Sequence, residues 1–262
     1  MHHRLWRQFL LNPQKHSDIL YGWITAVRTL TILPVPGKDA RDFSTSLYGF
    51  VWVGALLGVL LYGIALLQQT LPGPGWPEAS AILLMLAGVI LTRGLHLDGL
   101  ADCADGFLGG HDRDRILAIM KDSQLGTFGV LALILVLLAK WIFLVRMLTT
   151  GREIWLVAAF IISRVLMVDL AVRLPYARDS GTAASFVRGA KWQHWFFNFL
   201  PAAGILFFLL GWRGVLALAG GWGFSLVFGW WARNRIGGIT GDLLGACCEL
   251  SEVGILFYGS WI

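Results

Sequence analysis

Charged residues are scarce in this chain: 14% of its 262 residues are Asp, Glu, Lys or Arg, against about 25% in an ordinary soluble domain. So little charge beside 56% hydrophobic residues excludes a water-soluble single domain, because the apolar surplus exceeds what one core can bury. It excludes intrinsic disorder for the same reason. Cysteine is scarcer still. Cys103, Cys247 and Cys248 cannot build a disulfide framework and fall in no CxxC or other metal spacing, so each is expected to be an unpaired packing thiol. The chain has no internal repeat and no linker long enough to divide it. The Pro- and Gly-rich run at 71–77 reads as a tight connection. Before the first clear span there is no apolar h-region with a small-residue cleavage site, which argues against a removable signal peptide. One domain, 1–262, is expected.

Apolar and aromatic residues are abundant. Mean hydropathy is +0.67, and the 13 Trp and 16 Phe fit rings gathered at the two headgroup boundaries of a bilayer. Trp76, Trp155, Trp192, Trp195, Trp212, Trp230, Trp231 and Trp261 all stand near the ends of apolar stretches. Seven windows, roughly 47–69, 79–95, 125–147, 154–174, 195–211, 214–231 and 243–262, suit a hydrocarbon core that needs about 20 helical residues. The expected fold is therefore all-α, a polytopic membrane helix bundle of about seven transmembrane helices in the lipid bilayer. An eighth apolar stretch, 19–35, carries Arg28 and stops at the LPVP of 33–36, which suits an interfacial or re-entrant segment.

Lys and Arg fall unevenly on alternate loops. One side collects Arg4, Arg7, Lys15, Arg28, Lys38, Arg41, Arg113, Arg115, Lys121, Arg178, Arg188, Lys191, Arg233 and Arg235, whereas the other has only Arg152 and Arg213. Positive loops stay cytoplasmic, so the amino terminus is expected on that side. Nucleic acid is not an expected partner, and homo-oligomerisation stays open.

Six of the sixteen acids lie between Asp98 and Asp122. Asp98, Asp102 and Asp105 stand at i, i+4 and i+7, within about 60° of one another on a helix. Acids after a span are ordinarily a solvated loop, but the residues between these are Leu, Ala, Cys and Gly, which gives the same helix a packing face. Three carboxylates on one stripe repel unless a cation sits among them, and hard oxygen ligands suit Mg²⁺ or Mn²⁺ sharing its shell with phosphate oxygens. His96 and His111 flank the cluster, each open between a base, a phosphate donor and a packed imidazole. KDSQLGTFG, 121–129, follows on the same side. A cation, a serine and glycines at a helix start offer an ammonium and backbone N–H groups to an anion.

A second acidic segment is GGITGDLLGACCEL, 237–250. Asp242 and Glu249 are seven apart on one face, and Gly237, Gly238, Gly241 and Gly245 allow close backbone approach. Glu252 lies about 80° round from Asp242 and is left out of that face. Within the fourth window, Ser163 and Arg164 interrupt an apolar run, and an intramembrane Arg faces the bundle interior to meet a carboxylate or an anionic ligand. Its bland partner is Asp169 or the acidic stripe. Carboxylates for one or two Mg²⁺ with cations around them neutralise a pyrophosphate, which points to transfer of a substituted phosphoryl group from a diphosphate-activated donor to an alcohol.

HLDGLADCADG at 96–106, RDRILAIMKDSQLGTFG at 113–129 and GDLLGACCEL at 241–250 strongly resemble the cobalamin synthase family. The LPVP at 33–36 and the Ser-Arg at 163–164 are similar too, so the resemblance covers nearly the whole chain in order. It implies a Mg²⁺-dependent enzyme of the bacterial inner membrane that joins adenosylcobinamide-GDP to α-ribazole, or its 5′-phosphate, and releases GMP. It further implies that Asp98, Asp102 and Asp105 bind metal on the pyrophosphate, while Asp242 and Glu249 complete that site or take the hydroxyl proton. His96 is then a candidate base, Lys121 and Arg164 hold phosphate oxygens, and Asp122 and Ser123 join the substrate-binding group.

Two other classes compete. A CDP-alcohol phosphotransferase wants an Ala-Arg pair soon after the Asp-Gly, where this chain reads FLGGHDRDR, and a UbiA-type prenyltransferase wants two Asp-rich motifs of its own kind. A divalent cation transporter wants acids at mid-membrane depth in several spans, not gathered at one edge.

Overall fold

The structure is a computed structural model that describes residues 13–70 and 75–262, with side chains from 18 onward. Arg4, Arg7, the Lys15 side chain and residues 71–74 of the expected tight connection therefore lie outside the described residues. Eleven α-helices and no strands are present among the described residues: α1 Pro13–Leu30, α2 Phe50–Gln69, α3 Pro77–Thr92, α4 Leu95–Gly109, α5 Arg113–Ile119, α6 Thr127–Thr150, α7 Trp155–Arg173, α8 Ala184–Arg188, α9 Trp192–Leu210, α10 Trp212–Ile236 and α11 Gly241–Trp261. Six of these are long and apolar enough to cross a membrane, or seven if the bent pair α3–α4 makes one crossing. The all-α polytopic bundle is what the hydropathy indicated.

The second window is where sequence and structure part. Instead of running straight through 79–95, the chain leaves the helix at Thr92 and turns by 90° into α4. Arg93 and Gly94 both take left-handed backbone, with φ +56° and +64°, and their N–H groups close the last turn on Ile90 and Val89. Glycine takes that conformation freely, whereas arginine does so at a cost. Helix α1 ends just before an extended segment that folds back on this break. Ile32 N–H donates to the Leu91 carbonyl at 2.7 Å, and Arg28 holds the LPVP segment by donating to the carbonyls of Val35 and Gly37 and to Asp39.

Helix α7 is the axis of the bundle, with 94% of its apolar window buried. Helix α2 approaches it through Gly54 and Gly58, whose absent side chains leave room for the backbone of Phe160 and Val157; a Cβ on Gly58 would stand 2.6 Å from Val157 Cα. Without a hydrophobic force between helices in lipid, such small-residue contacts supply the packing. Of the tryptophans expected at the boundaries, Trp76, Trp192, Trp212, Trp230 and Trp261 are exposed. Trp155 is instead buried against Gly259, and Trp195 donates to Asp169 at 2.9 Å.

Cys103, Cys247 and Cys248 are free and buried, as their spacing indicated. Gly58→Val is expected to force α2 off α7 and destabilise the fold by about 1–3 kcal/mol, the range for overpacking a tight interface. Loss of a monodisperse detergent peak at lowered temperature is the readout.

Candidate active site: an acidic crossing of two helices

Helix α4 crosses α11 at two glycines. A Cβ on Gly99 would meet the Asp242 carbonyl oxygen at 2.8 Å, and one on Gly245 would meet His96 at 3.2 Å. This contact sets the Asp98 end of the acidic stripe beside Asp242 in the first turn of α11. Asp102 feels the repulsion of Asp242, Asp98 and Asp105 and the attraction of Arg178. Asp98 and Asp242 line a common cleft of ≈ 450 Å³, together with His96, Gly99 and Gly241. The two acidic helices thus meet across a shared cleft.

Arg178 is held there by a short clamp. The backbone of 175–177 pairs with Ile239 as an isolated parallel bridge, its Ala177 and Ile239 N–H groups each donating across at 2.9 Å. Gly238 has no room for a side chain against the Pro175 carbonyl. From α5, Arg113 donates to the carbonyls of Ile236 at 3.1 Å and Ala177 at 2.8 Å, binding both arms. Arg178 Nη2 then stands 2.9 Å from Asp242 Oδ2, although the approach lacks hydrogen-bond alignment and Nε is buried without a partner. Tyr176 lies on the same loop, and burial raises its hydroxyl above the usual value against the opposing pull of Arg178.

Asp105, the third carboxylate of the stripe, is turned to another task. It is buried and accepts from the N–H groups of Gly126 at 2.7 Å and Gly129 at 2.8 Å, so it caps the start of α6 from outside. Neither glycine could carry a Cβ without striking that carboxylate. Asp105 thereby ties the acidic helix to the 121–129 turn, where Lys121, Asp122 and Ser123 are all exposed and Asp122 accepts from Gln124 N–H. Asp112 caps α5 through Arg115 N–H at 2.9 Å, and His111 is exposed.

Arg164 and Glu249 lie elsewhere. Arg164 is fully buried on α7, where Nη1 pairs with Glu252 and donates to Ser163 Oγ at 2.8 Å. Its partner is thus neither Asp169 nor the acidic stripe. Glu249 receives Lys140 Nζ from α6 at 2.7 Å, and the same ammonium reaches Glu252 at 2.6 Å. Asp242 and Glu249 share a helix face, yet the structure gives one to the cleft and the other to this buried four-charge cluster. Asp169 is satisfied separately by Arg173, Trp195, Trp222 and Ser225. His96 stands between cleft and cluster: Nδ1 lies 3.5 Å from the Cys248 thiol, which is 3.7 Å from Glu252, and Nε2 is buried without a partner.

Sequence reasoning did not find Lys140, Glu252 or Arg178 as site residues. An intramembrane Lys must find carboxylates, and Glu252 is close in sequence to Glu249, so that signal was present. Nothing in local spacing marks Arg178. No group of three or more His, Cys, Asp or Glu side chains is preassembled as a metal cage among the described residues.

These features define a class: a polytopic membrane protein whose broken helix carries carboxylates to a cleft against a second acidic helix. A family model described as Cobalamin-5-phosphate synthase matches residues 22–260. A protein of Chlorobaculum parvum named adenosylcobinamide-GDP ribazoletransferase is 47% identical over 249 residues, covering 93% of this chain and 97% of its own length. Proteins of the same name from Chlorobium phaeobacteroides and Klebsiella pneumoniae are 48% and 37% identical, covering 88% and 90% of this chain. The chain belongs to the cobalamin-5-phosphate synthase family. No solved structure matches it.

Removing one member of a buried ion pair leaves the other charge uncompensated, at about 3–5 kcal/mol. Arg164→Ala and Glu252→Ala are therefore expected to lose folded protein, seen as aggregation on size exclusion, and the double variant Arg164→Met with Glu252→Leu should recover part of that loss.

Proposed function

We propose that this chain is an adenosylcobinamide-GDP ribazoletransferase. The 3′-hydroxyl of α-ribazole, or of its 5′-phosphate, attacks the phosphorus on the cobinamide side of the diphosphate. A new P–O bond forms, the P–O bond to GMP breaks, and the hydroxyl proton passes to a carboxylate. The products are adenosylcobalamin, or its 5′-phosphate, and GMP. The observation that carries this reading is the pair Asp98 and Asp242 on one cleft where α4 crosses α11, with Asp102 close enough to feel the charge of both.

Mg²⁺ fits those residues. It takes one or two carboxylates and fills its shell with water and substrate phosphate, so a partial set of acids suits it better than a closed protein cage. Asp98 and Asp102 are the ligands we assign, with Asp105 holding the stripe in place through its two backbone hydrogen bonds. When bound, the ion neutralises charge that moves onto the leaving phosphate. Asp242 is the proton acceptor favoured by its place on the cleft, with Arg178 beside it to stabilise its charged form. His96 lines the same cleft but is 2% exposed and has the Cys248 thiol beside its Nδ1, so it is placed second to Asp242 as the proton acceptor. Lys121, exposed in the 121–129 turn, supplies an ammonium to the phosphates, while Arg164 and Glu249 support the bundle.

The excess of Lys and Arg on one set of loops supports a bacterial inner membrane protein whose amino terminus and cleft face the cytoplasm. A CDP-alcohol phosphotransferase and a cation transporter are disfavoured by the family match and by the position of the acids.

Detergent-purified protein given adenosylcobinamide-GDP and α-ribazole is expected to release GMP only with acceptor and Mg²⁺ present, and excess EDTA should stop it. Asp98→Asn, Asp102→Asn and Asp242→Asn are each expected to lower turnover by roughly 100-fold or more while remaining monodisperse. Retained activity in all three variants would overturn the site assignment.

A further inference from the structure

The cleft that carries Asp98 and Asp242 also has an apolar wall, built by Leu30, Phe50, Met167, Phe186 and Leu244. Its ≈ 450 Å³ falls within the about 300–1,000 Å³ of small-molecule sites. That is space for one nucleoside and not for a corrinoid ring with its nucleotide. Its aromatic and aliphatic side chains suit a flat apolar base, and its carboxylates suit a sugar hydroxyl.

Arg93 completes the pattern. Among the described residues it is the only non-glycine with left-handed backbone, at a turn that glycine would make without strain. Strain of this kind persists where the surroundings hold it, and it clusters at ligand-binding and catalytic sites. The Arg93 side chain lines the cleft. Its Nη2 is anchored on the end of α1, donating to the carbonyls of Arg28 at 2.8 Å and Thr29 at 3.4 Å. Nε and Nη1 donate to no group among the described residues. A guanidinium fixed by one nitrogen with its other donors free is a ready partner for phosphate oxygens.

We propose that this cleft is the acceptor subsite. A nucleoside with a flat apolar base seats that base against Phe50 and Phe186, turns its 3′-hydroxyl to Asp242, and places a 5′-phosphate on Arg93. The assignment rests on the transferase reading above and deepens it: Arg93 is the residue that holds the acceptor's 5′-phosphate, and the diphosphate donor approaches from outside the cleft.

Titration calorimetry of the detergent-purified full chain with α-ribazole 5′-phosphate and with α-ribazole, in Mg²⁺, tests this directly. Arg93→Gln is expected to weaken binding of the phosphorylated acceptor by about 10-fold or more, with changes under about 2-fold for α-ribazole and for the donor KM. Arg93→Gly suits the left-handed turn and carries the same test if the Gln variant does not fold. Phe186→Ala is expected to weaken both acceptors by a similar factor and to leave the donor KM alone. A rise in donor KM with both acceptors unaffected would assign the cleft to the donor and overturn the proposal. So would folded variants indistinguishable from wild type in a chain that turns over. A wild-type chain that neither binds an acceptor nor releases GMP would instead defeat the transferase reading itself.

Discussion

Where α4 crosses α11, Gly99 and Gly245 let two helix backbones come closer than side chains allow, and the acidic rim depends on that approach. A methyl group at either position would push Asp98 and Asp102 away from Asp242. The carboxylates would then be separate solvated acids, and no shared cation would be needed to relieve their repulsion. Other parts of the fold protect the crossing. The left-handed break at Arg93 and Gly94 sends α4 across to α11, Asp105 fastens α4 to the start of α6, and Arg113 ties the bridge that precedes α11 to α5.

The buried cluster of Lys140, Arg164, Glu249 and Glu252 plays a different part. Its two cations and two carboxylates join α6, α7 and α11 in the apolar interior. Such a cluster is a poor source of net stability, since desolvation offsets much of the attraction, yet any unmatched partner is heavily penalised. It therefore fixes which faces of the three helices meet. Through Cys248 and His96 its contacts continue to the first turn of α4, so the orientation of the acidic stripe is linked to the packing at the centre of the bundle.

Much of this was legible in the sequence because it is local. Hydropathy located the crossings to within a few residues, and the i, i+4, i+7 spacing put Asp98, Asp102 and Asp105 on one helix. The shared stripe, however, did not reveal that Asp105 faces the amides of Gly126 and Gly129, a contact over 20 residues away that only the turn of α6 creates. The wheel angle correctly separated Glu252 from Asp242. It also hid Glu252 as the partner of Arg164, since helical spacing describes one helix and that pair joins two. In sequence Arg93 is one cation inside the apolar window 79–95; its role follows from the bend, which the hydropathy of that window smooths over. Arg178 reads as ordinary loop charge until the bridge to Ile239 brings it to Asp242.

The central claim is that the metal sits at the α4–α11 crossing, and it can be tested without turnover. With Fe²⁺ in place of Mg²⁺, ascorbate and peroxide generate hydroxyl radicals at the bound ion and cut the nearby backbone. Mass spectrometry of the fragments is expected to find cuts clustered around Asp98–Asp102 and around Asp242, suppressed by excess Mg²⁺. Cuts around Lys140 and Glu249–Glu252, or none that Mg²⁺ suppresses, would contradict the account.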